Sequence, residues 1–265
     1  AGTYGVMSWW DYGHWITTQG GRIPNANPFQ QGSKDAARFL LAQNESQGEA
    51  VLADVEEEDA KTRYVMVDWK MAEAEAFRPV RGKFFAPPTF ADNVSKPDFY
   101  SRIINRQQFE QNGGIIGSTV TMRHKQPFYE SMVTRLYLFH GSAAEPRPFV
   151  LDWEGQERLL VNNETFTFGP QDGAALKTFP NVSAAREYVA NDETAQVGGV
   201  GPYPSERVPA LEHYRLVHAT QSPGRSSYSQ QAQILSQRFG VDLQATFGES
   251  LFGALSDDFV KTFER

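Results

Sequence analysis

The stretch Ser8-Trp9-Trp10-Asp11-Tyr12-Gly13-His14-Trp15 gathers three of the chain's five tryptophans around one carboxylate. An acid among indole rings is a hydrogen-bond acceptor in surroundings that exclude water, and the indole N–H groups are donors beside it. That combination suits a neutral ligand group that donates a hydrogen bond, a hydroxyl above all, because a charge-assisted O–H···O⁻ bond is about twice as strong as a neutral one. Trp9 and Trp10 are adjacent, so on any regular element they cannot share one direction, and at least one looks outward. The residues alone leave three uses open. One is a hydroxyl-reading pocket. Another is a carbohydrate-binding platform on which Trp9, Trp10 and Trp15 stack on sugar rings. The third is a glycosidase in which Asp11 faces a second acid such as Asp68 across the substrate.

Other chemistries find little support. No GxSxG, P-loop or HExxH motif occurs, and no GxGxxG follows a strand. His14, His124, His140, His213 and His218 are scattered without ligand spacing, and the absence of cysteine removes both disulfides and thiolate zinc sites. Lys+Arg 25 against Asp+Glu 32 gives a net charge of −7, which argues against nucleic acid as a partner. No apolar run approaches the roughly 18 residues of a membrane span. Asn-X-Ser/Thr acceptors stand at Asn44, Asn93, Asn163 and Asn181 and point to an extracytoplasmic face.

The elements that must position these residues read as an α/β (mixed) fold: a helix-rich core around a small, partly parallel sheet, with β-rich insertions. Asp11 is expected to cap a short helix over Tyr12 to Thr18 that Gly20-Gly21 closes, with a short strand over Arg22 to Ala26. Ser33 reads as the cap of a helix with Ala36, Ala37, Leu40 and Leu41 on one face, and a second helix covers Glu49 to Glu58. Thr62 to Val67 is a buried strand, and Asp68 caps the helix Trp69 to Phe77. Prolines at 79, 87 and 88 make Arg78 to Asp98 a long loop, and Phe128 to His140 reads as one core helix ended by Gly141. Further strands are expected near Gln196, His213 and Val260, and a helix over Val182 to Val189. The chain is expected to be a single domain, 1–265, with insertions at 146–178 (β-rich) and 221–256 (loop or helical).

Trp9-Trp10-Asp11-Tyr12-Gly13 resembles the WWDYG signature of the oligosaccharyltransferase catalytic subunit. Ala26-Asn27-Pro28-Phe29-Gln30-Gln31, the strand leading into Asp68, and Glu212-His213-Tyr214-Arg215-Leu216-Val217 are similar to its archaeal branch. The resemblance implies a membrane enzyme that transfers a glycan from a lipid-linked donor to the Asn of an Asn-X-Ser/Thr sequon. This chain would be its soluble C-terminal domain, on the extracytoplasmic face of the cell membrane. The lipid-linked oligosaccharide, the bilayer and the Mn or Mg ion would be engaged by a membrane domain outside the 265 residues, and the fragment alone would be inactive. Trp9, Trp10 and Asp11 would bind the hydroxyl of the sequon Ser/Thr, with Tyr12 and Gly13 completing the motif. Asp68-Trp69-Lys70-Met71 is similar to a second family motif, Asp-x-x-Met, which makes Met71 a substrate contact. The family's apolar residue four positions on is Glu75 here, which leaves the threonine methyl to Met71 itself or Phe77. Trp15, outside the motif, is expected in the core.

Overall fold

The structure is a computed structural model that describes residues 3–56, 60–72, 86–92, 104–106, 110–111, 114–115, 122–124, 126–152, 157–161, 164–168, 175–192, 195–199, 203–221 and 258–265. Its strands are β1 (Gly5–Met7), β2 (Ile23–Pro24), β3 (Thr62–Asp68), β4 (Ile104–Arg106), β5 (Glu110–Gln111), β6 (Gly114–Ile115), β7 (Met122–His124) and β8 (Phe149–Asp152). They continue with β9 (Glu157–Val161), β10 (Glu164–Phe168), β11 (Ala175–Thr178), β12 (Ala195–Gly198), β13 (Arg215–Gln221) and β14 (Asp258–Glu264). The helices are α1 (Gly13–Thr18), α2 (Ser33–Leu41), α3 (Glu45–Val55), α4 (Trp69–Ala72), α5 (Ala86–Asp92), α6 (Gln126–Glu130), α7 (Met132–Tyr137) and α8 (Val182–Val189).

Five strands form the central sheet in the order β13-β14-β3-β1-β2. β1 runs parallel to both of its neighbours, whereas β14 is antiparallel to β3 and to β13, so the fold is mixed α/β. Parallel neighbours need a crossover, and α1 supplies it between β1 and β2, α2 and α3 between β1 and β3. Alternation along the strands sends Met7, Val65, Val67 and Phe263 to one face. There they pack with Phe39 and Leu40 of α2, Leu52 of α3, Tyr129 of α6 and Met132 and Leu136 of α7. Away from this core, β8 pairs with β11 and β12, and α8 lies on them through Val150, Ala185 and Ala195.

Several local expectations are corrected. Asp11 does not cap a helix: Trp10–Tyr12 is a turn of 3₁₀-helix running into α1, and Asp11 lies inside it. Gly32, not Ser33, precedes α2, at φ +70°, where a Cβ would stand 2.1 Å from the Asn25 carbonyl oxygen. α3 starts at Glu45, earlier than its apolar periodicity implies, because Asn44 caps it by accepting the Gln47 N–H at 2.9 Å. The segment expected as a loop from Arg78 to Asp98 holds α5, whose prolines fall in its first turn, where no N–H is needed. The expected helix Phe128 to His140 is two, broken at an extended Ser131, because the Met132 N–H donates to the Ala42 carbonyl at 2.9 Å. The β13 strand begins at Arg215, so His213 precedes it. Residues 222–257, which include most of the expected 221–256 insertion, lie outside the described residues.

Candidate functional site

Parallel pairing brings the chemistry together. With Met7 opposite Val65, the carboxyl ends of β1 and β3 lie at the same edge of the sheet. The turn after β1 therefore meets the helix after β3, although 56 residues separate Tyr12 from Asp68. In open sheets of parallel strands this edge is where ligands bind.

Trp9 leaves β1 in extended conformation, and its carbonyl accepts the Tyr12 N–H at 3.1 Å, which closes the 3₁₀ turn. Gly13 ends it. A Cβ there would lie 2.3 Å from the Ala26 carbonyl oxygen and 2.7 Å from Asn27 Cα, so only glycine lets the turn seat against that loop. Trp9 is 3% exposed and belongs to the core, so it offers no open face for a sugar to stack on. Trp10 is half-buried and packs against the edge of the core. Both indoles contact Phe90 of α5, Trp9 edge-on at 5.3 Å between ring centroids and Trp10 at 6.2 Å.

The Trp10 indole nitrogen is buried and finds no hydrogen-bond partner among the described residues. A buried donor left unmade is costly, of the order of 1–3 kcal/mol, and native proteins carry few. It stands on the same turn as the half-buried Asp11, so one turn supplies both an N–H donor and a carboxylate acceptor.

Asp68 is tied down on both oxygens. Its Oδ1 accepts the Met71 N–H at 2.8 Å, capping α4 as expected, and its Oδ2 accepts the Tyr12 hydroxyl. Burial raises the Asp68 carboxyl above the ordinary carboxylate range, and the Asp11 charge adds to the rise. The Tyr12 hydrogen bond, the Met71 amide and the charge of Lys70 work against it. Burial likewise raises the Tyr12 phenol, reinforced by the charge of Asp68 and the hydrogen bond to it, so Tyr12 keeps its proton and remains a donor. The two motifs are thus joined by a Tyr12–Asp68 hydrogen bond, which sequence spacing gives no means of pairing.

The other expected residues are placed as follows. Met71 is 2% exposed: its side chain packs in the core while its backbone meets Asp68. Glu75 and Phe77 lie outside the described residues. The expectation that Trp15 is core is overturned. It is 60% exposed on the far side of α1, walling an open groove of about 460 Å³ on the opposite sheet face with Tyr64, Met66 and Val217. Phe90 escaped sequence reading because it sits in a proline-interrupted segment with no apolar period of its own. Among the described residues no group of three His, Cys, Asp or Glu side chains could hold a metal, and no helix is long and apolar enough to cross a membrane.

Known proteins resemble the chain in sequence and in fold. A family model described as the AglB core domain matches residues 1–72, a span that contains both motifs. The dolichyl-monophosphooligosaccharide–protein glycotransferase AglB of Haloferax volcanii is 48% identical over 271 residues, covering 100% of this chain and 24% of its own length. The dolichyl-phosphooligosaccharide-protein glycotransferase 3 of Archaeoglobus fulgidus is 33% identical over 62% of this chain and 20% of its own. The chain therefore spans about a quarter or less of the length of these relatives. In fold, it is similar to archaeal oligosaccharyltransferase AglB from Archaeoglobus fulgidus in complex with an inhibitory peptide and a dolichol-phosphate, at TM-score 0.50 and 22% identity. That match covers 99% of this chain and 27% of the other. The oligosaccharyltransferase of the same organism tethered to an acceptor peptide containing an NVT sequon is likewise similar, at TM-score 0.50, 20% identity and 99% and 28% coverage. Identity along the whole chain to one relative, the core-domain match over both motifs and the shared fold lead to one conclusion: the chain belongs to the AglB family of archaeal oligosaccharyltransferases.

Proposed function

We propose that this chain is the acceptor-recognition part of a membrane oligosaccharyltransferase, which moves a glycan from a lipid-linked donor onto the Asn of Asn-X-Ser/Thr. The observation that carries this reading is the buried Trp10 N–H, without a hydrogen-bond partner among the described residues, beside Asp11 on one turn. A hydroxyl is the group that answers both, since it donates to the carboxylate and accepts from the indole. The relatives' names, and the acceptor peptide and dolichol-phosphate in the solved neighbours, support the same assignment.

The sequon Ser/Thr hydroxyl binds at Trp10 and Asp11, with Trp9 and Phe90 backing the turn, Tyr12 and Asp68 fixing it, and Met71 beneath. Indole surfaces keep water from the Asp11 bond and so strengthen it. An Asn-X-Ala peptide lacks the hydroxyl and leaves the donor and the carboxylate without it. That loss costs about 1–3 kcal/mol, roughly five- to 150-fold in discrimination. Binding two residues beyond the acceptor holds its amide nitrogen toward the reacting groups, which is catalysis by orientation. Those groups, with the Mn or Mg ion and the contacts to lipid donor and bilayer, belong to the remainder of the polypeptide, and this chain sits on the extracytoplasmic side. The 265 residues alone transfer no glycan.

The test is Asp11→Ala in the full-length enzyme. Transfer to Asn-X-Thr peptides is lost while binding of the lipid donor persists. Near-normal transfer by the variant would refute the role of Asp11.

A further inference from the structure

Two of the sequons that the chain itself carries fall on described residues, and both are held in the same way. Asn44 and Asn181 directly precede α3 and α8 in extended conformation, at φ −149°, ψ 166° and φ −158°, ψ 167°. Both asparagines are exposed, as are Ser46 and Ser183, the hydroxyl residues of the two sequons. In each, the side-chain oxygen accepts a backbone N–H three residues on, from Gln47 at 2.9 Å and from Ala184 at 2.8 Å. The amide nitrogens, Nδ2, make no hydrogen bond among the described residues. Capping therefore uses the oxygen of these side chains and leaves to solvent the atom to which an N-linked glycan is joined.

We propose that Asn44 and Asn181 are glycosylation sites of this protein, each carrying a glycan on Nδ2 while its Oδ1 continues to cap the helix. The inference rests on the reading above, in which the chain lies on the side of the membrane where acceptor asparagines are modified. In the transfer the bond from Nδ2 to the anomeric carbon forms as the bond from that carbon to the donor's lipid phosphate breaks. The lipid phosphate leaves with the electron pair, and one amide proton passes to solvent. The side-chain carbonyl is unchanged, so the cap survives. In the folded chain the X and Ser positions of both sequons lie in the first helical turn. Glu45, between Asn44 and Ser46, also accepts the N–H groups of Glu212 and His213 at 2.9 and 2.7 Å. Transfer to Asn44 accordingly precedes closure of that contact.

The experiment is peptide mass spectrometry on the full-length protein from its native host, on the tryptic peptides 39–61 and 178–186, each of which contains one sequon. Both peptides are expected to carry the host glycan on most molecules. Ser46→Ala and Ser183→Ala each abolish the modification at their own site and leave the other intact. Asn44→Asp and Asn181→Asp do the same while retaining a capping oxygen, which separates loss of the glycan from loss of the helix start. Unmodified peptides in cells where a reporter with Asn-X-Thr is glycosylated overturn this proposal and leave the recognition function standing. If the reporter too is unmodified, with this enzyme the cell's sole oligosaccharyltransferase, the function fails and the inference with it.

Discussion

Removing one oxygen atom tests the join between the two motifs. Tyr12→Phe keeps the ring and deletes the hydroxyl that donates to Asp68 Oδ2. Asp68 is 2% exposed and keeps the Met71 N–H as its other partner. A hydrogen bond to a buried charged acceptor contributes about 1.5–3 kcal/mol, and for a chain of this size each kcal/mol is about 2–4 °C in Tm. The variant is therefore expected to melt roughly 3–12 °C lower at neutral pH, read by circular dichroism. The pH dependence follows from the direction of the shift. The folded Asp68 carboxyl lies above its ordinary value of 3.8, so its contribution to stability is full below that value and is lost as pH rises through the folded value. The Tyr12 hydroxyl favours the ionised form, so its removal raises the folded value further. The penalty of Tyr12→Phe is then small below about pH 4 and grows as pH rises, while in an Asp68→Asn background it loses that dependence. Equal cost at acid and neutral pH, or a neutral-pH change under about 0.5 kcal/mol, would refute the reasoning.

Other substitutions separate fold from recognition. Gly13→Ala forces a Cβ to 2.3 Å from the Ala26 carbonyl, so it is expected to destabilise by about 1–3 kcal/mol in urea titration and to weaken acceptor use in the full-length enzyme. Met71→Ala opens a cavity under α4 and costs about 2–5 kcal/mol by the same titration. Trp15→Ala, at a 60% exposed position, is expected to stay within about 0.5 kcal/mol of the parent, the reverse of what its residue type alone implies.

How much of this was legible in the sequence depended on whether the cause was local. That Trp10 and Asp11 share a turn could be read because they are neighbours in the chain, and Asp68 could be read as a cap because capping reaches only three residues. β1 could not: it is three residues long, with Val6 and Met7 its whole apolar signal, and its strand character comes from pairing with β2 and β3. The break at Ser131 is imposed by Ala42, far away in the chain, and no periodicity within 128–140 encodes it. Trp15 was misread because indole area argues for burial, whereas the rotation of α1 is set by the motif turn before it and the loop that Gly13 seats against. The Tyr12–Asp68 bond needed the parallel pairing of β1 and β3, which is a property of the sheet and not of either segment.

That pairing also sets the two acids apart. A glycosidase requires a pair of carboxyl groups open to the same sugar, one to protonate the leaving oxygen and the other to attack or to activate water. Asp11 and Asp68 do lie at one end of the sheet, near enough for the charge of Asp11 to raise the Asp68 carboxyl. Yet Asp68 is buried, with one oxygen on a backbone N–H and the other on the Tyr12 phenol, which keeps its own proton. A carboxyl so engaged reaches neither a glycosidic oxygen nor a water. To free it, the chain would have to give up the α4 cap and the seat of the motif turn together. Asp68 is thus the brace, and Asp11, which stands on the turn, is the acid left for the recognition role we propose.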